Sequence, residues 1–124
     1  MTRILVLDDS VAIRESLTSL LNRQPDIDVV GTARDGLDGL DKALGSLPDV
    51  VIMDAQMPNM DGVEATMHIK QDLPGVGILV LSVFADCLED SVEAGAEGCL
   101  MKDCEPEELF SELRRIAAVA KDNR

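Results

Sequence analysis

Aromatic residues are nearly missing from this chain: no Trp, no Tyr and two Phe in 124 residues. Two Phe cannot supply a row of base-stacking platforms, which argues against single-stranded nucleic-acid binding. Positive charge is scarce too. Lys and Arg number 11 against 24 Asp and Glu, a formal net charge of −13 with the single His neutral. Nucleic-acid affinity rests on cations that neutralise phosphates, so these residues form a poor DNA or RNA surface. No apolar run is long enough to span a bilayer. The first apolar stretch, Ile4-Leu5-Val6-Leu7, stops at two Asp and lacks the layout of a secretory signal. No membrane role and a cytoplasmic location are expected.

Cysteine is sparse as well. Cys87, Cys99 and Cys104 are an odd number with no close pair at metal-ligand spacing. Cys99 lies in an apolar run and is expected to pack, as is Cys87 against its helix neighbours. Cys104 stands just before a helix, where the dipole can lower a thiol pKa.

Apolar residues, by contrast, make up 46% of the chain. That is enough to bury a core and excludes a disordered acidic tail. The length fits one domain over residues 1–124. Short apolar runs alternate with segments of helical period. Strands are predicted at Ile4–Leu7, Ile27–Val30, Val50–Met53, Ile78–Leu81 and Gly98–Met101. Helices are predicted over Ser10–Arg23, around Leu37, Leu40 and Leu44, over Val63–Gln71, over Asp86–Ala94, and from Pro106 to about Lys121. Gly45 and Pro48 are expected to close the second helix. The last helix places Leu109, Leu113, Ile116, Ala117 and Ala120 on one face. Five strand-helix units imply an α/β doubly wound fold: a five-stranded parallel sheet with helices on both faces.

Ionisable residues cluster at the predicted strand ends. The first strand ends in Asp8-Asp9, the third in Asp54, the fourth in Ser82 and the fifth in Lys102. The second ends in Gly31-Thr32-Ala33. This fits the flavodoxin-like order 2-1-3-4-5, in which strand two is an edge and strands one and three meet at the switch point. Three neighbouring carboxylates repel, so at least one pKa should rise. A hard divalent cation relieves the repulsion. With oxygen donors and no nearby His or Cys, the set selects Mg²⁺, or Mn²⁺ as a substitute. Such a site suits phosphate chemistry, with one Asp as nucleophile and Lys102 and Ser82 holding the transferred group.

Each residue alone has a plainer explanation. A strand-end Asp usually caps a helix or shapes a turn, and a lone Lys is usually solvated. The joint placement after four strands, absent after the second, carries the argument. Asp61-Gly62 reads as a turn and the cap of the third helix. His68 reads as a solvated helix residue. Met53, Met57, Met60, Met67 and Met101 read as core or loop packing.

Asp8-Asp9, the run Met53-Asp54-Ala55-Gln56-Met57-Pro58-Asn59-Met60-Asp61-Gly62, then Ser82, Gly95-Ala96 and Lys102 together resemble the response-regulator receiver domain of two-component signalling. The resemblance covers Ile4 to the last helix. It implies that Asp54 is the phospho-acceptor, taking its phosphoryl group from a phosphohistidine of a sensor histidine kinase or phosphotransfer protein. It implies that Asp8, Asp9 and Asp54, with the backbone carbonyl of Gln56, hold Mg²⁺. Ser82 and Lys102 would contact the phosphoryl group. The chain would then be no enzyme, apart from Mg²⁺-dependent self-phosphorylation and self-dephosphorylation. A charged Asp54 would bias a two-state output surface around the fourth and fifth helices.

Three features depart from the family pattern. Asp103 follows Lys102 where most receivers have proline, so no cis-proline is expected. The Lys-Asp pair resembles receivers that precede a LuxR-type helix-turn-helix. DNA binding through a C-terminal domain is therefore compatible with the sequence, as is a homodimer. Cys99 stands where the family usually places its aromatic switch residue, and Phe84 is a candidate substitute. The segment from Ser82 to Gly95 is slightly short, which suggests an irregular fourth helix.

Two other functions compete. A haloacid-dehalogenase-like phosphatase also uses a strand-end Asp nucleophile, but needs an acid two residues on, where Gln56 stands. A flavodoxin-like FMN site needs a Ser/Thr/Gly-rich phosphate loop, where Asp8-Asp9 stands.

Overall fold

A computed structural model describes residues 1–57, 60–83 and 91–122, with the side chains of residues 121 and 122 left aside. The strands are β1 (Thr2–Leu7), β2 (Ile27–Ala33), β3 (Val50–Asp54), β4 (Gly77–Ser82) and β5 (Gly98–Met101). The helices are α1 (Val11–Asn22), α2 (Gly36–Ser46), α3 (Gly62–Asp72), a helical turn α4 at residues 91–93, and α5 (Pro106–Asp122). Residues 86–90 of the expected fourth helix, with Cys87 and Leu88, lie outside the described residues, as does Phe84.

The sheet is parallel throughout and runs β2-β1-β3-β4-β5, the order read from the strand ends. β3 and β4 are buried at every position, as strands covered on both faces must be. β2 is longer than expected. It continues past Val30 to Ala33, because a register shift opposite Ile4/Leu5 leaves Val30 out of the ladder and pairing resumes at Gly31.

Alternating strand residues build two cores. Ile4, Val6, Ile52, Leu79 and Leu81 face Leu21 of α1 and Leu109, Phe110, Leu113 and Ile116 of α5. Leu5, Leu7, Val51, Met53, Ile78 and Val80 face Ala43 of α2 and Ala65 and Ile69 of α3. All five α5 residues expected on one face are buried.

The second helix exists where expected but turns another face inward. Leu37 and Leu44 are 65% and 47% exposed, while Gly36, Gly39 and Ala43 are buried. The reason is distance. A Cβ on Gly39 would lie 2.3 Å from Leu7 Cδ2, so α2 approaches the sheet too closely for side chains. Its end also differs. Gly45 is helical, and the chain leaves the helix at Leu47, in the left-handed region at φ 48° and ψ 62°. Pro48 disfavours helical backbone at the residue before it. Arg3 Nη1 donates to the Leu47 carbonyl at 3.1 Å. Two methionines fall outside the packing expectation: Met67 is 56% exposed and Met101 36%.

Candidate functional site

The carboxyl ends of β1 and β3 bring three carboxylates together. Asp8 and Asp9 follow Leu7 directly, and Asp54 is the last residue of β3. One carboxylate oxygen from each of Asp8, Asp9 and Asp54 lies within 4.8 Å of the others. Asp8 and Asp54 are buried and Asp9 is exposed.

Local hydrogen bonds fix each acid. The Asp8 N–H donates to the Ala33 carbonyl at 3.1 Å, tying the end of β1 to the end of β2. Asp8 Oδ1 accepts from the Ser10 N–H at 2.9 Å, and Ser10 Oγ caps α1 by accepting from the Ile13 N–H at 3.3 Å. Asp54 Oδ1 accepts from the Gln56 N–H at 3.1 Å and from Lys102 Nζ at 2.8 Å. Lys102 Nζ also lies 3.5 Å from Asp8 Oδ2. Asp54 Oδ2 is buried and has no hydrogen-bond partner among the described residues.

Ser82 closes the opposite wall. It is fully buried at the end of β4. Its carbonyl accepts from the Lys102 N–H at 2.8 Å, so β4 positions the lysine. Its Oγ accepts from Gln56 Nε2 at 3.3 Å. Every sequence-nominated residue therefore meets at one end of the sheet: Asp8, Asp9, Asp54, Gln56, Ser82 and Lys102.

Charge and burial oppose each other here. The Asp54 pKa is raised, first by burial and further by the Asp8 charge, against the lowering pull of Lys102 and the Gln56 N–H. A raised carboxylate was expected from mutual repulsion. Burial proves the larger cause. Burial alone would lower the Lys102 pKa, but its hydrogen bond to Asp54 and the charges of Asp54 and Asp8 raise it overall. The lysine is thus held as an ammonium against the acids.

Asp61-Gly62 does the structural work expected of it. Asp61 Oδ1 accepts from the Glu64 N–H at 2.9 Å and caps α3. Gly62 does more. A Cβ there would lie 2.6 Å from the Asp54 carbonyl oxygen, and the Gly62 N–H donates to the Ala55 carbonyl at 3.0 Å. α3 therefore packs backbone to backbone on the segment carrying Asp54. His68 is exposed on α3, as expected.

Sequence reasoning missed Arg14. Its Nη1 donates to the Asp8 carbonyl at 2.6 Å and props the acid pair. The available signal was slight: Arg14 is the one cation in the helix that follows Asp8-Asp9. It also missed Lys70, which pairs with Glu97 and donates to the Val76 carbonyl at 2.6 Å.

The cysteine reading needs one correction. The Cys104 pKa is raised, by burial first and then by the charges of Glu108 and Asp103. Burial and those acids raise the pKa that a position before a helix could have lowered. Cys99 is half-buried and packs against the core shared with α2 and α3.

A cation fits this donor set. The donors are oxygen, the charge is in excess, and a buried carboxylate oxygen lacks a partner.

The family described as response regulator receiver domain matches residues 4–114. The transcriptional regulatory protein LnrK of Bacillus subtilis (strain 168) is 40% identical over 118 residues, covering 94% of this chain and 54% of that protein. The chain thus spans about half the length of the curated relatives it matches. A LuxR-family two-component response regulator from Aurantimonas sp. SI85-9A1 superposes with a TM-score of 0.89 at 34% identity, covering 95% of this chain and 86% of that one. The response regulator domain of Thermotoga maritima CheB gives 0.88 at 30% identity, covering 95% and 97%.

Proposed function

Since this chain belongs to the response regulator receiver family and is the receiver domain of a two-component response regulator, we propose that Asp54 is its phospho-acceptor. The observation that carries the reading is the buried, unpartnered Asp54 Oδ2 beside two further carboxylates and the Lys102 ammonium. Asp54 Oδ2 attacks the phosphorus of a kinase phosphohistidine. The P–N bond breaks, imidazole leaves, and an acyl phosphate forms. Lys102 Nζ then exchanges its bond to Asp54 for one to a phosphoryl oxygen. Ser82 Oγ, now bonded by Gln56, turns its proton toward another. Exposed Asp9 and Gln56 mark the side from which the donor approaches.

Asp8, Asp9 and Asp54, with the Gln56 carbonyl, would hold Mg²⁺. When bound, the ion offsets carboxylate charge and that of the phosphoryl oxygens. Mn²⁺ would substitute. Hydrolysis of the acyl phosphate resets the switch. Because Cys99 offers no aromatic ring, the signal passes through Lys102 and Ser82 to the segments after β4 and β5. The whole protein, like the relative named as a transcriptional regulatory protein, would control transcription through DNA binding outside these residues. It would act in the cytoplasm. No described helix is long and apolar enough to cross a membrane.

The phosphatase alternative finds no support. Gln56 has no acid to protonate a leaving group, and it is engaged with Ser82. The FMN alternative fares no better against Asp8 and Asp9. Intact-mass measurement after incubation with acetyl phosphate and Mg²⁺ should show one added phosphate. The adduct should vanish with EDTA or in Asp54→Asn. An unmodified mass, or an adduct that survives Asp54→Asn, would overturn the assignment.

A further inference from the structure

Beside the acid cluster lies its electrostatic opposite. A cavity of about 330 Å³ opens at the carboxyl end of β2, lined by Arg14, Thr32, Ala33, Arg34, Asp38 and Lys42. Three of the chain's 11 cations meet there against one carboxylate, in a molecule of net charge −13. The two sites share a wall. Ala33 accepts from the Asp8 N–H, and Arg14 donates to the Asp8 carbonyl.

We propose that this cleft is a binding site for a small oxyanion of the phosphate class, separate from the phospho-acceptor. Three observations carry it. First, the carboxylate in the wall is already satisfied: Asp38 Oδ2 lies 3.3 Å from Lys42 Nζ and accepts from the Arg34 N–H at 3.3 Å. Second, the Arg34 guanidinium is exposed and has no hydrogen bond or ion pair among the described residues. A free guanidinium fork matches a tetrahedral oxyanion with two parallel bonds. Third, the other two cations are pre-positioned on backbone carbonyls, Arg14 on Asp8 and Lys42 on Thr32 at 2.6 Å. Little side-chain freedom is then lost on binding. The cleft is shallow and its lining is polar and mostly cationic, which suits a small, strongly charged oxyanion better than an apolar ligand. Charge also argues for it: elsewhere the acidic surface repels anions, so the cleft is where one would concentrate.

Inorganic phosphate is the probe. Amide spectra of the Mg²⁺-free protein, titrated at constant ionic strength, should show saturable shifts at Thr32, Arg34 and Asp38. Arg34→Gln and Lys42→Gln should each weaken the response by about fivefold, and together abolish it. Both positions are exposed, and unchanged spectra elsewhere confirm the fold. Asp54→Asn should leave the response intact, which separates this site from phosphate acceptance. Linear, unsaturable shifts would overturn the proposal. So would shifts that survive the double variant, or that appear only with Mg²⁺ and vanish in Asp54→Asn. Saturation by an acidic peptide but not by phosphate would assign the cleft to a protein partner and equally overturn it.

Discussion

The two layers that cover the sheet are built on opposite principles. On one side, α1 and α5 reach the strands through large side chains: Leu21, Leu109, Phe110, Leu113 and Ile116. On the other, α2 and α3 approach mainly through Gly39, Ala43, Gly62 and Ala65, with Ile69 the one large side chain buried from α3. The first layer is held by filling space, the second mostly by close approach. The difference has a functional consequence. The close layer lets Gly62 touch the backbone of Asp54, so α3 braces the acceptor. The packed layer anchors the far side and leaves that end of the sheet to Lys102.

The layer built on large side chains should lose the most from a single truncation. Ile116 is fully buried, and its Cγ2 would lie 2.3 Å from a Cβ on Gly77. Ile116→Ala should lower stability by about 3 kcal/mol, the usual cost of a large-to-small change in a packed core. Urea denaturation would show this as a lower midpoint at unchanged slope. On the close-packed side the corresponding fastener is polar. Lys70 joins the end of α3 to Glu97, whose Oε2 accepts from the Ile78 N–H at 2.6 Å. Lys70→Met should cost about 2 kcal/mol, because it leaves the half-buried Glu97 without its cation. A loss no larger than that of a surface substitution would show that this layer needs no such pin.

Glycine sharpens the contrast because two positions on one helix should move stability in opposite directions. Gly39→Ala places a Cβ against fully buried Leu7, and should destabilise by about 1–2 kcal/mol even after its gain in helix propensity. Gly45→Ala meets nothing within 4 Å and should stabilise by about 0.5–1 kcal/mol. Equal signs in paired thermal melts would refute the account of α2 as a close-approach helix.

That same contrast explains what could be read in advance. In α5 the apolar residues recur with helical period and are large, so the buried face is written in the pattern. In α2 the Leu37, Leu40, Leu44 pattern points mostly outward, because the true contact face is made of residues that periodicity cannot weigh. Gly39 carries no hydropathy signal; it is informative through the atoms it lacks. The site was legible for another reason. Chemistry at a strand end follows directly from topology once five strands are counted, so Asp8, Asp9, Asp54, Ser82 and Lys102 all meet as expected. Contacts made by side chains from elsewhere were not legible. Arg14 on the Asp8 carbonyl depends on where α1 lies over the sheet, and Gln56 on Ser82 depends on a loop conformation. The Cys104 thiol was misread because a dipole argument from sequence position leaves out burial, which only the fold reveals, and the neighbouring acids Asp103 and Glu108, which the sequence already showed. Its alkylation at mildly alkaline pH should be slower than that of a free thiol.

The smallest effect concerns the ion pair that fastens the packed layer. Arg114 of α5 donates to both carboxylate oxygens of Asp26, at 2.8 and 3.0 Å, and also to Gln24 Oε1 at 3.0 Å. The pair is solvent-exposed, unlike Lys70–Glu97, so water and salt screen it. The Arg114 hydrogen bond holds the Asp26 carboxyl below its ordinary value of 3.8. A carboxylate lowered in the folded state stabilises the fold fully above its unfolded pKa, and that contribution is lost as pH falls through the folded pKa. Asp26→Asn should therefore lower the urea midpoint slightly at neutral pH. The gap to the parent should stay constant down to about pH 4, close below it as Asp26 protonates, and shrink in molar salt. Lys70→Met should keep most of its deficit in that salt, because its partner is half-buried. If both deficits fade alike, the two layers are fastened by the same kind of contact and the distinction between them reduces to side-chain size.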